Sequence, residues 1–371
     1  MPVILNTNPS DCSRENIGAL RSSRSTACVE RACRNLTIGL VNNMPDSALE
    51  ATERQFISLL GSASEGMTVH LYLYSLPGVP RRGASASRVS DFYSSTENLP
   101  RTQLDGLIVT GTEPLSSNLA DEPYWGSFVS VLDWAQNGTY SAVWSCLAAH
   151  AAVLYQDDIR RIRSERKNFG IFDCHCVAKH ALTEGIQSHF KLPHSRWNGL
   201  SADELMNHGY RVLSRTEDGG VDIFVQQKKS LFVFLQGHPE YESKSLLLEY
   251  QRDLGRFSRG EMVKCPAPPR GYFNADSHAR LIELQEECAT GLRQGLLEKV
   301  AKVLETATLE STWRDTATRI YGNWLDYISA RKRSELRAAG DWQEEAALGD
   351  IGPFVNETEL SVPPGTGQLV L

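Results

Sequence analysis

From Leu36 onward, short apolar runs alternate with segments of helical period, and this alternation restricts the fold more than any other feature of the chain. Leu36 to Val41 reads as a buried strand and Ala48 to Leu60 as a helix. Val69 to Leu76 and Leu107 to Thr110 are strand-like, and Trp125 to Ala135 is helical. Strands that return through helices pair in parallel, so the expected fold is α/β, a doubly wound, mostly parallel sheet with flanking helices. With 371 residues, 41% of them hydrophobic, the chain can bury such a core.

The run from Tyr140 to Trp144 leads through Ser145 to Cys146, and Leu147-Ala148-Ala149-His150-Ala151-Ala152 follows, small and helix-favouring. Cys146 therefore stands where a strand turns into a helix, the corner known as a nucleophile elbow. The following N–H groups, that of Leu147 first, and the positive end of the helix would favour a thiolate and then an oxyanion. Taken alone, Cys146 reads equally as a buried structural thiol. Further on, the apolar run from Leu231 to Leu235, followed by Gln236, ends in Gly237-His238-Pro239-Glu240-Tyr241. His238 offers a base and Glu240 a carboxylate to fix its tautomer, which completes a nucleophile, base and orienter set.

Other features limit the function classes. A net charge of −7 with mixed signs argues against a general nucleic-acid or membrane-surface binder. The one basic cluster, Arg160 to Lys167, reads as a solvated helix end, with Lys167 held open as functional. Eight irregularly spaced cysteines fit reduced thiols, and the sequon at Asn35 is then unused. The N-terminus carries no signal pattern and no apolar run is long enough to span a bilayer, so a cytoplasmic protein is expected. Cys174-His175-Cys176 with His180 suggests a metal, but on a strand the two cysteines face opposite to His175, and no second ligand pair follows. No metal is expected.

Residues 1–35 are polar and read as an arm, and 36–260 as the catalytic domain. Phe172 to Val177 and Tyr210 to Ser214 are strand-like. Val221 to Phe234, broken at Lys228-Lys229, reads as a hairpin that returns His238 toward Cys146, and a helix then runs to about Ser258. A Pro-rich joint at 266–269 opens a helical C-terminal extension, 261–335. There Leu281, Leu284, Cys288, Leu292, Leu296 and Val300 mark one amphipathic helix, a packing or dimer surface. Residues 336–371 read as a tail, partly mobile over its Gly- and Pro-rich end.

Several ordered motifs carry a family resemblance. Leu40-Val41-Asn42-Asn43-Met44-Pro45, Thr52-Glu53-Arg54-Gln55-Phe56, Asp105 to Gly111 and Tyr124-Trp125 belong to it. So do Pro193-His194-Ser195-Arg196, Gly237 to Tyr241, Glu249-Tyr250-Gln251-Arg252-Asp253 and Asn323-Trp324-Leu325. Over roughly residues 36–260 and 313–328 the chain resembles the homoserine O-acyltransferase family of methionine biosynthesis. The resemblance implies a class I glutamine-amidotransferase-like fold and transfer of succinyl or acetyl from acyl-CoA to the homoserine hydroxyl. It also implies small-molecule substrates, no bound cofactor and a homodimer. Cys146 would carry the acyl thioester, His238 would be the base and Glu240 its orienting carboxylate. Lys167, Ser195 and Arg252 match substrate-binding positions, and the N–H of Leu147 would serve the oxyanion.

The chain departs from that family in places. Leu147 and His150 stand where a Trp and a nearby Gln are usual, and Asp46 and Ser47 where a lysine is usual. Leu115 aligns with the position that selects the acyl group, glycine for succinyl and glutamate for acetyl, and residues 281–309 look inserted. Succinyl is the expected donor. An acyltransferase for another hydroxy amino acid such as serine, a glutaminase or amidase of the same fold, and a non-catalytic binding protein are the competing readings. Against the glutaminase, Trp144 and Ala148 occupy positions that such enzymes fill with glycine.

Overall fold

A computed structural model describes residues 3–6, 26–289 and 295–348. Its strands, in chain order, are β1 (Val3–Asn6), β2 (Asn35–Val41), β3 (Thr68–Ser75), β4 (Tyr93–Ser95), β5 (Gly106–Val109), β6 (Ser141–Ser145), β7 (Ile162–Cys176), β8 (His189–Gly199), β9 (Arg211–Thr216), β10 (Val221–Gln227) and β11 (Leu231–Leu235). They form one sheet in the order β1-β3-β2-β5-β6-β11-β10-β9-β7-β8, with β4 beside β3. Pairing is parallel from β1 to β11 and antiparallel from β11 to β8. The expected α/β sheet is thus present, with the hairpin β10–β11 joining its two halves.

Alternate residues of the central strands enter opposite cores, which makes the fold doubly wound. In β6, Ala142 and Trp144 join a core with Phe128 and Leu132 of α2 (Trp125–Gly138) and Ala149 and Val153 of α3 (Leu147–Asp157). Val143 points the other way. It joins Phe56 and Leu60 of the preceding helix α1 (Leu49–Ala63). Helix α4 (Ser245–Ser258) buries Leu246, Tyr250, Leu254 and Phe257 on that same side.

The C-terminal segment completes this second core. Helices α5 (Ala275–Ala289) and α6 (Leu296–Thr306) pack on each other, and Leu281, Leu284, Cys288, Leu296 and Val300 are all buried within the chain. The single amphipathic helix read from that spacing is therefore two helices, and the buried face is internal packing. Leu292 lies outside the described residues. The long helix α7 (Arg314–Leu348) buries Ile320, Tyr321, Trp324, Leu325 and Ile328 against the sheet. Trp324 Nε1 donates to Ser141 Oγ at 2.9 Å, and Trp313 Nε1 donates to the Tyr241 carbonyl at 2.9 Å.

Three other segments differ from the sequence reading. Val3 to Asn6, placed in a polar arm, pair in parallel with β3, and Thr26–Cys33 is a helix. Arg160 to Lys167 is no helix end: from Ile162 the chain is already strand β7, paired with β8. The segment 336–348, read as tail, continues α7, while 349–371 lies outside the described residues. No described helix is long and apolar enough to cross a membrane.

Candidate active site

β6 and β11 are neighbouring parallel strands whose last residues, Ser145 and Leu235, are register partners. Their C-terminal ends therefore release Cys146 and the His238 loop at the same edge of the sheet, where open α/β sheets bind ligands. Cys146 occupies the corner before α3 with φ 52° and ψ −112°, a conformation that costs a non-glycine residue ~1–3 kcal/mol. Its N–H donates to the Leu235 carbonyl at 2.7 Å, which ties the corner to the neighbouring strand.

Gly111 sits against this corner. A Cβ there would lie 2.9 Å from the Leu147 nitrogen and 2.7 Å from its Cβ. Leu147 opens α3, so its N–H has no partner within the helix, and the bare glycine keeps that donor uncovered.

His238 is held from three directions. Its N–H donates to the Pro193 carbonyl at 2.7 Å, and its ring stacks on Tyr241 at 4.4 Å between centroids. Its Nδ1 lies 2.8 Å from Glu240 Oε1, which leaves Nε2 for the Cys146 sulfur. Burial opposes charge on the ring. Glu240 and the Cys146 sulfur outweigh that cost and hold the imidazolium well above the usual histidine range. Cys146, His238 and Glu240 thus converge, as their spacing in the sequence suggested.

Behind His238 lies a second buried layer. Asp222 accepts from Ser214 Oγ at 2.8 Å, and its other oxygen is 3.3 Å from His194 Nε2. Arg196 Nε donates to His194 Nδ1 at 3.3 Å, which assigns the His194 proton to Nε2. A Cβ on Gly237 would meet Asp222 Oδ1 at 3.0 Å and His194 Nε2 at 3.1 Å, so the glycine lets the base loop rest on this pair. Cys174, His194 and Asp222 bring ligand-type atoms within 4.8 Å of one another, but the neighbouring Arg196 guanidinium opposes a cation there.

The elbow and base loop open into a cavity of about 1220 Å³ whose wall includes Lys167, Ser195, Arg252, Leu147 and Leu115. Leu115 is an exposed residue of that wall, 74% accessible, and the adjacent Glu113 pairs with Arg256 at 2.9 Å. Lys167 and Arg252 are already partnered. Lys167 Nζ lies 2.9 Å from both Glu249 and Asp253, and Arg252 lies 3.3 Å and 3.0 Å from the same two carboxylates. Ser195 Oγ donates to Glu249 Oε1, and Tyr241 OH to Glu249 Oε2 at 3.2 Å.

Glu249 thereby links three of the site residues to the tyrosine stacked on His238; burial pushes its carboxyl up, but Lys167, Ser195 and Arg252 outweigh that and leave it below the usual range. Sequence reasoning missed it, although it stands in the same motif as Arg252. It also missed Arg196, next to Ser195, and Arg161 on the cavity wall. His150 is buried and faces the same cavity. Burial first, then Arg196 and Arg161, pull its pKa down to about 3, so it is a neutral hydrogen-bonding group there.

A family model described as homoserine O-succinyltransferase matches residues 6–334. Among curated relatives, the homoserine O-succinyltransferase of Rhodopseudomonas palustris is 44% identical over 79% of this chain and 88% of its own length. That of Bradyrhizobium japonicum is 43% identical over 79% of this chain and 90% of its own. Among solved structures, a glutamine amidotransferase from Methylobacillus flagellatus is a distant likeness, 15% identical with a TM-score of 0.43 over 79% of this chain and 95% of that one. A match over nearly the whole described chain, together with relatives of this similarity, shows that the chain belongs to the homoserine O-succinyltransferase family.

Proposed function

We propose that this protein transfers a succinyl group from succinyl-CoA to the hydroxyl of L-homoserine through a thioester on Cys146. The observation that carries this reading is the convergence of Cys146, His238 and Glu240 at the floor of a large cavity in a chain of this family. The Cys146 thiolate attacks the thioester carbonyl, and the oxyanion meets the Leu147 N–H. The carbon–sulfur bond to CoA then breaks, and the His238 imidazolium gives its proton to the departing thiolate.

Acylation removes the charge from the Cys146 sulfur, and with it one of the two causes that raise the His238 pKa. His238 is then neutral and takes the proton of the acceptor hydroxyl. The alkoxide attacks the acyl-enzyme, the bond to the Cys146 sulfur breaks, and the thiolate–imidazolium pair is restored. Glu240 holds the ring through both steps. Lys167, Ser195 and Arg252 form the acceptor site, in which the amino-acid substrate competes for cations now held by Glu249 and Asp253.

The reading is tested by intact mass after incubation with succinyl-CoA and acetyl-CoA together, without acceptor, beside Cys146→Ala. One succinyl adduct on the unmodified protein only is the expected result. An acetyl adduct would reassign the donor, and no adduct from either thioester would sink the covalent route. With the adduct in hand, release by homoserine in preference to serine identifies the acceptor, and parallel initial-rate lines are expected.

A further inference from the structure

Among the described residues, every cation on the cavity wall has a carboxylate partner except Arg163, which lies over the Trp197 ring, and the pair Arg196 and Arg161. Lys167 and Arg252 share Glu249 and Asp253, and Arg256 has Glu113. Arg196 and Arg161 have only neutral or carbonyl partners. Arg196, 7% exposed, donates to His194 Nδ1 and, at 2.8 Å, to the Asn198 carbonyl. Arg161 donates to the Ser117 carbonyl at 2.8 Å. Neither guanidinium forms an ion pair among the described residues, and Asp222 and Asp218 act on Arg196, and Glu122 on Arg161, only from a distance. A buried charge without a counter-ion is costly, and a site that retains one is complementary to an anion supplied from outside.

The position of this pair limits what the anion can be. Arg196 follows Ser195 on β8, lines the cavity that Cys146 opens into, and lies within the electrostatic reach of the Cys146 sulfur. His150, in the first turns of the helix that Cys146 caps, lines the same cavity and is acted on by both arginines. Two guanidiniums and an imidazole therefore line the cavity that holds the nucleophile. An acyl chain attached to Cys146 and ending in a second carboxylate brings an anion into that space. Arginine's fork suits a carboxylate in two-point contact.

We propose that Arg196, with Arg161 and His150 on the same wall, binds the free carboxylate of a dicarboxylic acyl group during transfer, and that Arg196 is the residue that makes this chain select such a donor. The assignment rests on the acyl-transfer reading above and names the donor class for the same site. It also accounts for the position of Leu115. That side chain is an exposed part of the cavity wall, so it does not supply the charge that would distinguish one acyl group from another.

The test is the rate of Cys146 acylation, followed by rapid-quench mass spectrometry without acceptor, with succinyl-CoA and with butyryl-CoA, which carries a methyl where succinyl carries its carboxylate. The unmodified protein is expected to prefer succinyl. The succinyl-to-butyryl rate ratio should fall ~100-fold in Arg196→Met, about tenfold in Arg161→Met, and recover in part in Arg196→Lys. An unchanged ratio in all three variants overturns the proposal, as does equal acylation of the unmodified protein by the two donors. Should Arg196→Met fail to fold, Arg161→Met and the preference of the unmodified protein still decide. A normal acylation ratio in Arg196→Met with a raised homoserine KM would assign Arg196 to the acceptor and overturn the proposal too. Absence of any adduct from either thioester marks failure of the acyl-transfer reading itself, whereas adducts formed without succinyl preference overturn only this assignment.

Discussion

Ser145 and Leu235 end two adjacent parallel strands as register partners, and the next residue of one chain segment is Cys146 while the third of the other is His238. Strand register thus fixes the distance between nucleophile and base. Neither depends on a long loop for its position, which favours precise geometry over adaptability.

Replacing Glu240 by Gln removes a carboxylate that offsets the cost of burying the His238 charge, so the His238 pKa falls and the thiolate–imidazolium pair gives way to neutral partners. Alkylation of Cys146 by iodoacetamide near neutral pH should slow about tenfold, and transfer should drop ~100-fold. Rate against pH is the measurement. A profile identical to that of the unmodified protein would mean that Glu240 does not sustain the ion pair.

Gly111→Ala places a Cβ 2.9 Å from the Leu147 nitrogen. The corner must shift or the donor is covered, and either result weakens oxyanion binding. We expect kcat to fall ~100-fold while the protein loses only ~1–3 kcal/mol of stability. Urea unfolding and steady-state kinetics on one preparation would separate the two effects, and an unaltered kcat would exclude the Leu147 N–H from the oxyanion site.

Glu249→Gln leaves Lys167 and Arg252 with Asp253 alone. Because these side chains are mostly buried, the loss should cost ~2 kcal/mol, between an exposed pair and a fully buried one. It should also loosen Ser195 and Tyr241, both bonded to Glu249. Unfolding free energies that match to within ~0.5 kcal/mol would show that solvent screens the cluster.

His150 and His194 are both fully buried with pKa values lowered, chiefly by burial, from the ordinary 6.5. Between that value and their folded values the unfolded chain binds protons that the folded chain does not. Stability therefore falls as pH drops below about 6.5, by up to ~1.4 kcal/mol per pH unit for each histidine. His238 has the opposite sign: its raised pKa adds stability at low pH that is lost as pH rises through the folded value. Equilibrium unfolding of His150→Gln should show a shallower acid slope than the unmodified protein, and an equal slope would place the proton uptake elsewhere.

The residues of the elbow and the base loop were legible because each follows a short strand with an apolar centre, a pattern that survives without any knowledge of the fold. The first half of β7 was not, because Ile162 to Lys167 runs past the cavity mouth and carries arginines where a buried strand would alternate. β8 contains Pro193, which disguises it, and its residues Ser195 and Arg196 both reach the site although a regular strand would separate them by face. The continuous apolar spacing from Leu281 to Val300 concealed a break between helices, since both halves bury their faces in one core. Nothing in the spacing of Glu249 and Asp253 sets them apart from helix-surface acids, and only the approach of Lys167 from a distant strand gives them their role.

Trp313 and Trp324 reach back from the end of the chain to the Tyr241 carbonyl and to Ser141, the two segments that carry the base loop and the nucleophile strand. During synthesis, these anchors leave the ribosome after every catalytic group. The catalytic edge therefore cannot reach its final arrangement before they emerge. A message truncated just after the base-loop helix would yield a chain with every catalytic group present and one face of its sheet left open to water and to other chains.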